Sequence, residues 1–233
     1  MQLSDLLLRL ANGRLNYTGL IDDLGVIKTN HKPKIIDAIN EGLLRLYTRF
    51  VIKEKDVIIS LRDHITFYHL VPLYSETLYP QSGVEIPYIM DMAGEVFVDD
   101  VIKVLAVFDY MGCELPLNDS GSCNSVFTPT YNSIQVPEPE TGKLLNVVYQ
   151  ARHLPLNYID ETAYIELPDV LVGALEAYVA YLLLQDMATD DAKQRADRQL
   201  GLYESICVSA LLTDVANATT TSTTSKLCQR GFV

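Results

Sequence analysis

Residues 170–187 limit the fold more than any other stretch of the chain. Leu167-Pro168-Asp169 opens the segment, and Val, Leu, Ala and Tyr then cover nearly every side of a helix. A helix that is apolar all round must be enclosed on most of its faces. The run 170–184 is shorter than the roughly 20 residues a bilayer-spanning helix requires, and Glu176 lies inside it. It therefore reads as packed scaffold in a soluble protein.

A second, amphipathic helix is expected over 191–212, making a helical hairpin. Leu171, Leu175, Tyr178 and Leu182 mark one face of the first helix, and Val172, Val179 and Leu183 thicken it. Ala192, Ala196, Leu200, Tyr203 and Cys207 form a narrower stripe on the second, at three- and four-residue steps. The small Ala192 and Ala196 permit a close approach between the two helices. Asp190 and Asp191 suit the start of the second helix through capping and the helix dipole. Arg195, Arg198 and Gln199 lie outside the seam. Residues 214–233 follow, with the run Thr219-Thr220-Thr221-Ser222-Thr223-Thr224-Ser225. That composition holds too little apolar surface for a core and predicts an extended tail.

At the other end, Leu3, Leu6, Leu7 and Leu10 predict a short helix that ends before Gly13. Residues 12–30 contain Gly13, Gly19 and Gly25 and read as loop. A helix starting at Lys32 or Pro33 carries a wide stripe of Ile35, Ile36, Ile39, Leu43, Leu46, Tyr47 and Phe50. From Lys55 the period changes to two. Residues 57–70 read as a hairpin, and 101–110 as the strongest strand, apolar on both faces and so central or sandwich-buried. Prolines 72, 80 and 87 exclude a long regular element between these. Residues 112–139 read as loop, with a turn at Asn118-Asp119-Ser120-Gly121-Ser122 and a brief strand at 133–136. Residues 143–152 supply a further strand with Leu145, Val147, Tyr149 and Ala151 on one face. The expected class is α+β: helices at both ends packed around a central antiparallel β-rich region, with an extended C-terminal tail. The division is one domain over 1–213 (helical 1–50, β-rich 55–155, helical hairpin 168–213) and a tail over 214–233.

Composition narrows the function classes. A hydrophobic share of 48% with 21% charged residues is ordinary for a folded soluble chain. The net charge of -12 argues against nonspecific duplex binding, which needs lysine and arginine to neutralise phosphate. The stretch 1–10 already carries Asp5 and Arg9, so no signal-like pattern of basic residues and apolar core is expected there. Cys113, Cys123, Cys207 and Cys228 lack the CxxC spacing of a zinc site and read as thiols. His31, His64, His69 and His153 form no metal motif. No GxxxxGK(S/T) loop, GxGxxG fingerprint or GxSxG elbow is present. The acidic pairs Asp22-Asp23, Asp99-Asp100 and Asp190-Asp191 are explained by helix starts, solvation and charge balance. Neither a catalytic residue nor a metal nor a cofactor is expected. The 14 tyrosines, against no tryptophan, modestly favour an interaction surface.

Two segments carry a family resemblance. Ile35-Ile36-Asp37-Ala38-Ile39-Asn40-Glu41-Gly42-Leu43 is similar to the early helix of the head-to-tail adaptor, or connector, proteins of tailed bacteriophages. Leu167-Pro168-Asp169 leading into Ala174-Leu175-Glu176-Ala177-Tyr178-Val179-Ala180-Tyr181, with Leu202-Tyr203-Glu204 in the following helix, resembles the closing hairpin of that family. The two segments bracket an inserted β region, which residues 72–87 and 112–139 enlarge beyond a minimal adaptor.

The resemblance implies a ring, usually a homo-dodecamer, in the virion at the head-tail junction, assembled in the host cytoplasm. Its partners would be the portal protein above and a tail tube or nozzle protein below. Genomic DNA would pass transiently without sequence recognition, and no membrane would be involved. C-terminal segments of such proteins often reach into the portal, which makes Thr219, Thr223, Lys226, Leu227, Arg230, Phe232 and Val233 the expected portal-binding residues. Tyr181, Arg195 and Arg198 are the expected subunit interface. The alternatives are a tail-tube component, an assembly chaperone, or a hydrolase using Ser122 and His153.

Overall fold

Leu3, Leu6, Leu7 and Leu10 share one side of helix α1 (Leu3–Asn12), where all four are buried. The computed structural model describes residues 1–16, 18–22, 24–77, 87–91 and 96–213. Helix α2 (Lys32–Arg49) follows a single 3-10 turn, with Pro33 in its first turn as the sequence predicts. Ile35, Ile36, Ala38, Ile39, Gly42, Leu43, Leu46 and Tyr47 form its buried face. Helix α3 (Asp169–Gln185) is buried on most sides, at Leu171, Val172, Ala174, Leu175, Ala177, Tyr178, Val179, Ala180, Leu183 and Leu184. Leu182, expected on that face, is only half-buried. Glu176 keeps a charge within this apolar helix because α1 supplies its partner: Arg9 Nε lies 2.7 Å from its carboxylate.

Helix α4 (Asp190–Leu212) runs back along α3. Its cap is Thr189, whose hydroxyl accepts from the Ala192 N–H at 3.4 Å. Asp190 and Asp191, expected to cap, instead occupy the first turn, where the helix dipole favours carboxylates. Ala192 and Ala196 pack with Leu184, Tyr181 and Met187, and small side chains let the helices close there. Leu200, expected in the seam, is half-buried, and Ala210 is buried instead.

The sequence reading treats 1–213 as one domain, whereas the packing separates two compact units. Among the described residues, Met1–Ile52 and 152–213 form the helical unit, and Lys53–Ala151 the second. Helices pair with helices and strands with strands, so each unit has a core of its own.

The second unit holds β1 (Glu54–Ser60), β2 (Phe67–His69), β3 (Ile89–Met90), β4 (Val101–Phe108), β5 (Glu114–Leu115), β6 (Ser133–Gln135) and β7 (Leu144–Ala151). A five-stranded sheet runs β3-β1-β7-β4-β5, and β2 pairs separately with β6. Every named pairing is antiparallel. Leu145, Val147, Tyr149 and Ala151 are buried along β7, the face read from the alternation.

Two strand expectations are corrected. Residues 57–70 are not a hairpin: β1 pairs with β7 and β3, while β2 belongs to the other sheet. The turn between them is held elsewhere. Tyr68 Oη accepts from the Arg62 N–H, and the Asp63 N–H donates to Thr141 Oγ1 at 2.9 Å. The central strand is β7 rather than β4, whose outer neighbour β5 covers only Val107 and Phe108. Two register shifts against β7 bend β4, and only Val101 and Val107 are buried along it. Of the three explanations given for the acidic pairs, charge balance is the one that fits Asp100. It is buried, 3.0 Å from Lys55 Nζ, and accepts from Tyr149 Oη at 3.1 Å.

Candidate functional site

The two segments quoted for the family resemblance meet in the helical unit. A Cβ on Gly42 of α2 would lie 2.7 Å from Leu175 Cδ1 and 3.3 Å from Tyr178 Cδ1, so α3 approaches α2 closely only because residue 42 lacks a side chain. Two residues earlier, Asn40 pins the chain that leads into α3. Its Nδ2 donates to Leu156 O at 3.1 Å, and its Oδ1 accepts from Leu156 N at 2.8 Å. Tyr47 Oη donates to Glu166 O, a second tie to the same connection.

A polar seam follows along α2, α3 and α4. Tyr178 Oη donates to Glu41 Oε1 at 2.9 Å and accepts from Arg45 Nη1 at 3.3 Å. The Arg45 guanidinium sits 5.0 Å from the centroid of Tyr178 and 5.7 Å from that of Tyr203. Arg49 lies 5.9 Å from the Tyr203 ring and donates to Glu204 Oε2 at 2.7 Å. Burial raises the Tyr178 pKa, and the hydrogen bond to Glu41 adds to it. Burial likewise raises Tyr203 and Cys207, which keeps the phenol and the thiol neutral. These groups face one another and not a cleft. The seam can fix helix positions through cation–π contacts and charge-assisted bonds.

Of the expected interface residues, Tyr181 is half-buried, its ring 5.8 Å from Tyr178. Arg195 is half-buried and Arg198 exposed, and among the described residues neither forms an ion pair. Gln199, also placed outside the seam, accepts from Arg14 Nη1 at 2.6 Å. Thr219, Thr223, Lys226, Leu227, Arg230, Phe232 and Val233 lie outside the described residues.

In the second unit, two adjoining hollows of about 230 and 470 Å3 share Asp109, Tyr110, Leu144 and Leu145. Two of the carboxylates that line them serve their own loops. Asp109 Oδ1 accepts from the N–H groups of Met111 and Cys113, and Glu140 pairs with Lys143 at 2.6 Å. Ser122 belongs to the 119–125 turns of this unit, whereas His153 belongs to the helical unit, its Nδ1 2.6 Å from Leu154 O. His64 sits in the turn before β2 and His69 ends β2. Among the described residues, no three His, Cys, Asp or Glu side chains gather as a metal site. No described helix is long and apolar enough to cross a membrane.

Sequence reasoning missed the exposed apolar groups of the helical unit. Val208, Leu211 and Leu212 lie exposed at the end of α4, and Leu8, Leu24 and Val26 lie exposed on α1 and the turn after it. A signal for both was present: apolar residues off the α4 stripe, and apolar residues within a glycine-containing turn. No family model matches the chain, and no curated protein matches it.

Proposed function

We propose that this chain is a structural subunit of a ring at the head-tail junction of a tailed bacteriophage, an adaptor between portal and tail. The observation that carries the reading is the packing of 35–43 against 174–181 at Gly42, because the two segments that resemble adaptors form one contact. Exposed apolar side chains at the end of α4 and on α1 and the turn after it support an assembling role. The mechanism is geometric. Lateral contacts close the ring, usually of twelve copies, which extends the DNA channel and docks a tail tube or nozzle protein. The segment 214–233 latches each copy to the portal. A net charge of -12 disfavours adhesion of passing DNA. No catalytic step is part of this function.

Quantitative mass spectrometry of purified mature particles tests it. A copy number equal to that of the portal, near twelve, is expected. Absence of the chain from mature particles would identify an assembly chaperone instead, and a copy number several times higher a tube protein. Deleting 219–233 tests the latch: portal attachment should be lost while the helical content stays.

A further inference from the structure

The two adjoining hollows of the second unit, about 230 and 470 Å3, have the size of a ligand site. Leu61, Leu115, Val126, Val136 and Leu144 give the first its apolar walls, and Tyr110, shared by both, is 62% exposed. Their charge is one-sided. Asp109, Glu138 and Glu140 line the first hollow against Lys143 alone, and Lys143 is already paired with Glu140 at 2.6 Å. The bond to Glu140 raises the Lys143 pKa and Asp109 adds to it, so the field at this lysine is negative. Two carboxylates remain. Asp109 gives Oδ1 to its own turn, while its Oδ2 has no hydrogen bond among the described residues. Glu138 is exposed and forms no ion pair there. An unsatisfied acceptor adjoins them. Asn146 lines the second hollow from β7, between Ile58 of β1 and Phe108 of β4, and its Oδ1 is shut off from solvent without a partner. Buried acceptors are rarely left so. The lining therefore fits an occupant with an apolar body, N–H donors and positive charge.

One stretch outside the described residues has that chemistry. In a chain of net charge -12, residues 215–233 hold no Asp or Glu, and Lys226, Leu227, Arg230, Phe232 and Val233 fall within 226–233. An arginine brings a planar fork of N–H donors and a face that stacks on a tyrosine ring. In an extended segment, residues 228, 230 and 232 share one face. Length also allows it. Residues 214–225 span up to about 40 Å when extended, at roughly 3.3–3.6 Å per residue. A unit of roughly 100 residues has a radius of gyration of about 13 Å. A tether of that length does not confine 226–233 to the helical unit from which it leaves.

We infer that residues 226–233 seat in the hollows of their own chain, with Arg230 donating to Asp109, Glu138 and Asn146 beside the Tyr110 ring, and Phe232 on the apolar walls. One guanidinium and one ring make a weak contact. The covalent tether sustains it, because a linked segment meets its site at an effective concentration of about a millimolar. The seating belongs to the free chain and does not need the ring. Within the ring reading it stores the latch, since a portal must draw the same residues out of the hollows.

Native cysteines test the seating in the full chain. Cys123 lines the first hollow, and Cys228 stands two residues before Arg230. With Cys113→Ser, and with Cys207 buried, these two are the accessible thiols. Diamide takes two electrons and two protons from a pair of thiols that meet, becoming a hydrazine and leaving one disulfide. The expected product is a monomer carrying Cys123–Cys228, read by non-reducing gel and peptide mass spectrometry. Arg230→Glu and Glu138→Lys should each slow its formation about tenfold, as loss of one charge-assisted bond does. Combining the two should restore the rate, which a general disturbance of the unit would not do. Glu138 is exposed, so the circular dichroism of its variant should match the wild type. Failure to form Cys123–Cys228, a disulfide found only between copies, single variants that react at the parent rate, or a double variant that stays slow would each overturn the seating. None of these results bears on the ring, which copy number in mature particles decides.

Discussion

Gly42 offers the sharpest test of how the helical unit is held together. Replacing a helical glycine by alanine ordinarily stabilises by about 1 kcal/mol. Here the new methyl would lie 2.7 Å from Leu175 Cδ1 and 3.3 Å from Tyr178 Cδ1, both on side chains buried in the seam. Overpacking of that kind costs about 1–3 kcal/mol, so Gly42→Ala should destabilise by about 1 kcal/mol net. Leu175→Ala alone should cost about 2–5 kcal/mol, since Leu175 is fully buried. In the Leu175→Ala background the nearest obstructing atom is gone, and Gly42→Ala should then stabilise by about 1 kcal/mol. The two changes are therefore expected to couple by about 2 kcal/mol. Urea unfolding followed by far-ultraviolet circular dichroism reports the helical unit and yields all four stabilities. The reasoning is refuted if Gly42→Ala stabilises the parent chain, or if the two effects add to within about 0.5 kcal/mol.

Three further outcomes follow from the same structure. Lys55→Met leaves Asp100 buried beside Tyr149 without its cation; the second unit should lose about 3–5 kcal/mol, and adding Asp100→Asn should restore most of it, as read by urea unfolding. Burial pushes the Asp91 carboxyl up, but hydrogen bonds from Phe97, Ser75 and Thr77 outweigh it and hold the pKa below the ordinary 3.8. A depressed folded pKa gives stability that is complete above the unfolded value and lost as pH falls through the folded one. Asp91→Asn should thus flatten the acid limb of a stability-versus-pH curve and change little at its foot. In a Cys228→Ser background, a thiol reagent should modify the exposed Cys113 and Cys123 in the native chain and reach Cys207 only on unfolding, because that thiol is buried and its pKa raised.

What the sequence made legible is what local pattern controls. The leucines of α1, Pro33 at the start of α2, the all-round apolarity of α3 and the alternation of β7 all declare themselves within one element. Long-range choice did not. The hairpin reading of 57–70 failed because strand pairing is decided across the sheet, and β1 finds β7 some ninety residues on. The place of β4 beside the central β7 is not legible for a similar reason: apolarity marks a strand as packable, whereas strand order and the register shifts against β7 are set by long-range pairing. The cation that balances Asp100, Lys55, stands far away in sequence and is not named by local pattern. In the candidate surface, Tyr181 and the arginines 195 and 198 were chosen by residue type. The exposed apolar groups became visible only once packing had used up the rest of each helix face. Leu24 is the clearest case, since its exposure depends on a turn that Asp22 holds.

The central claim is a place in a particle, and cryo-electron microscopy of the native virion tests it most directly. The account predicts a ring of this chain between portal and tail, with the C-terminal segment on the portal. A particle whose portal meets the tail without this chain, or a ring of this chain with 214–233 away from the portal, would contradict it.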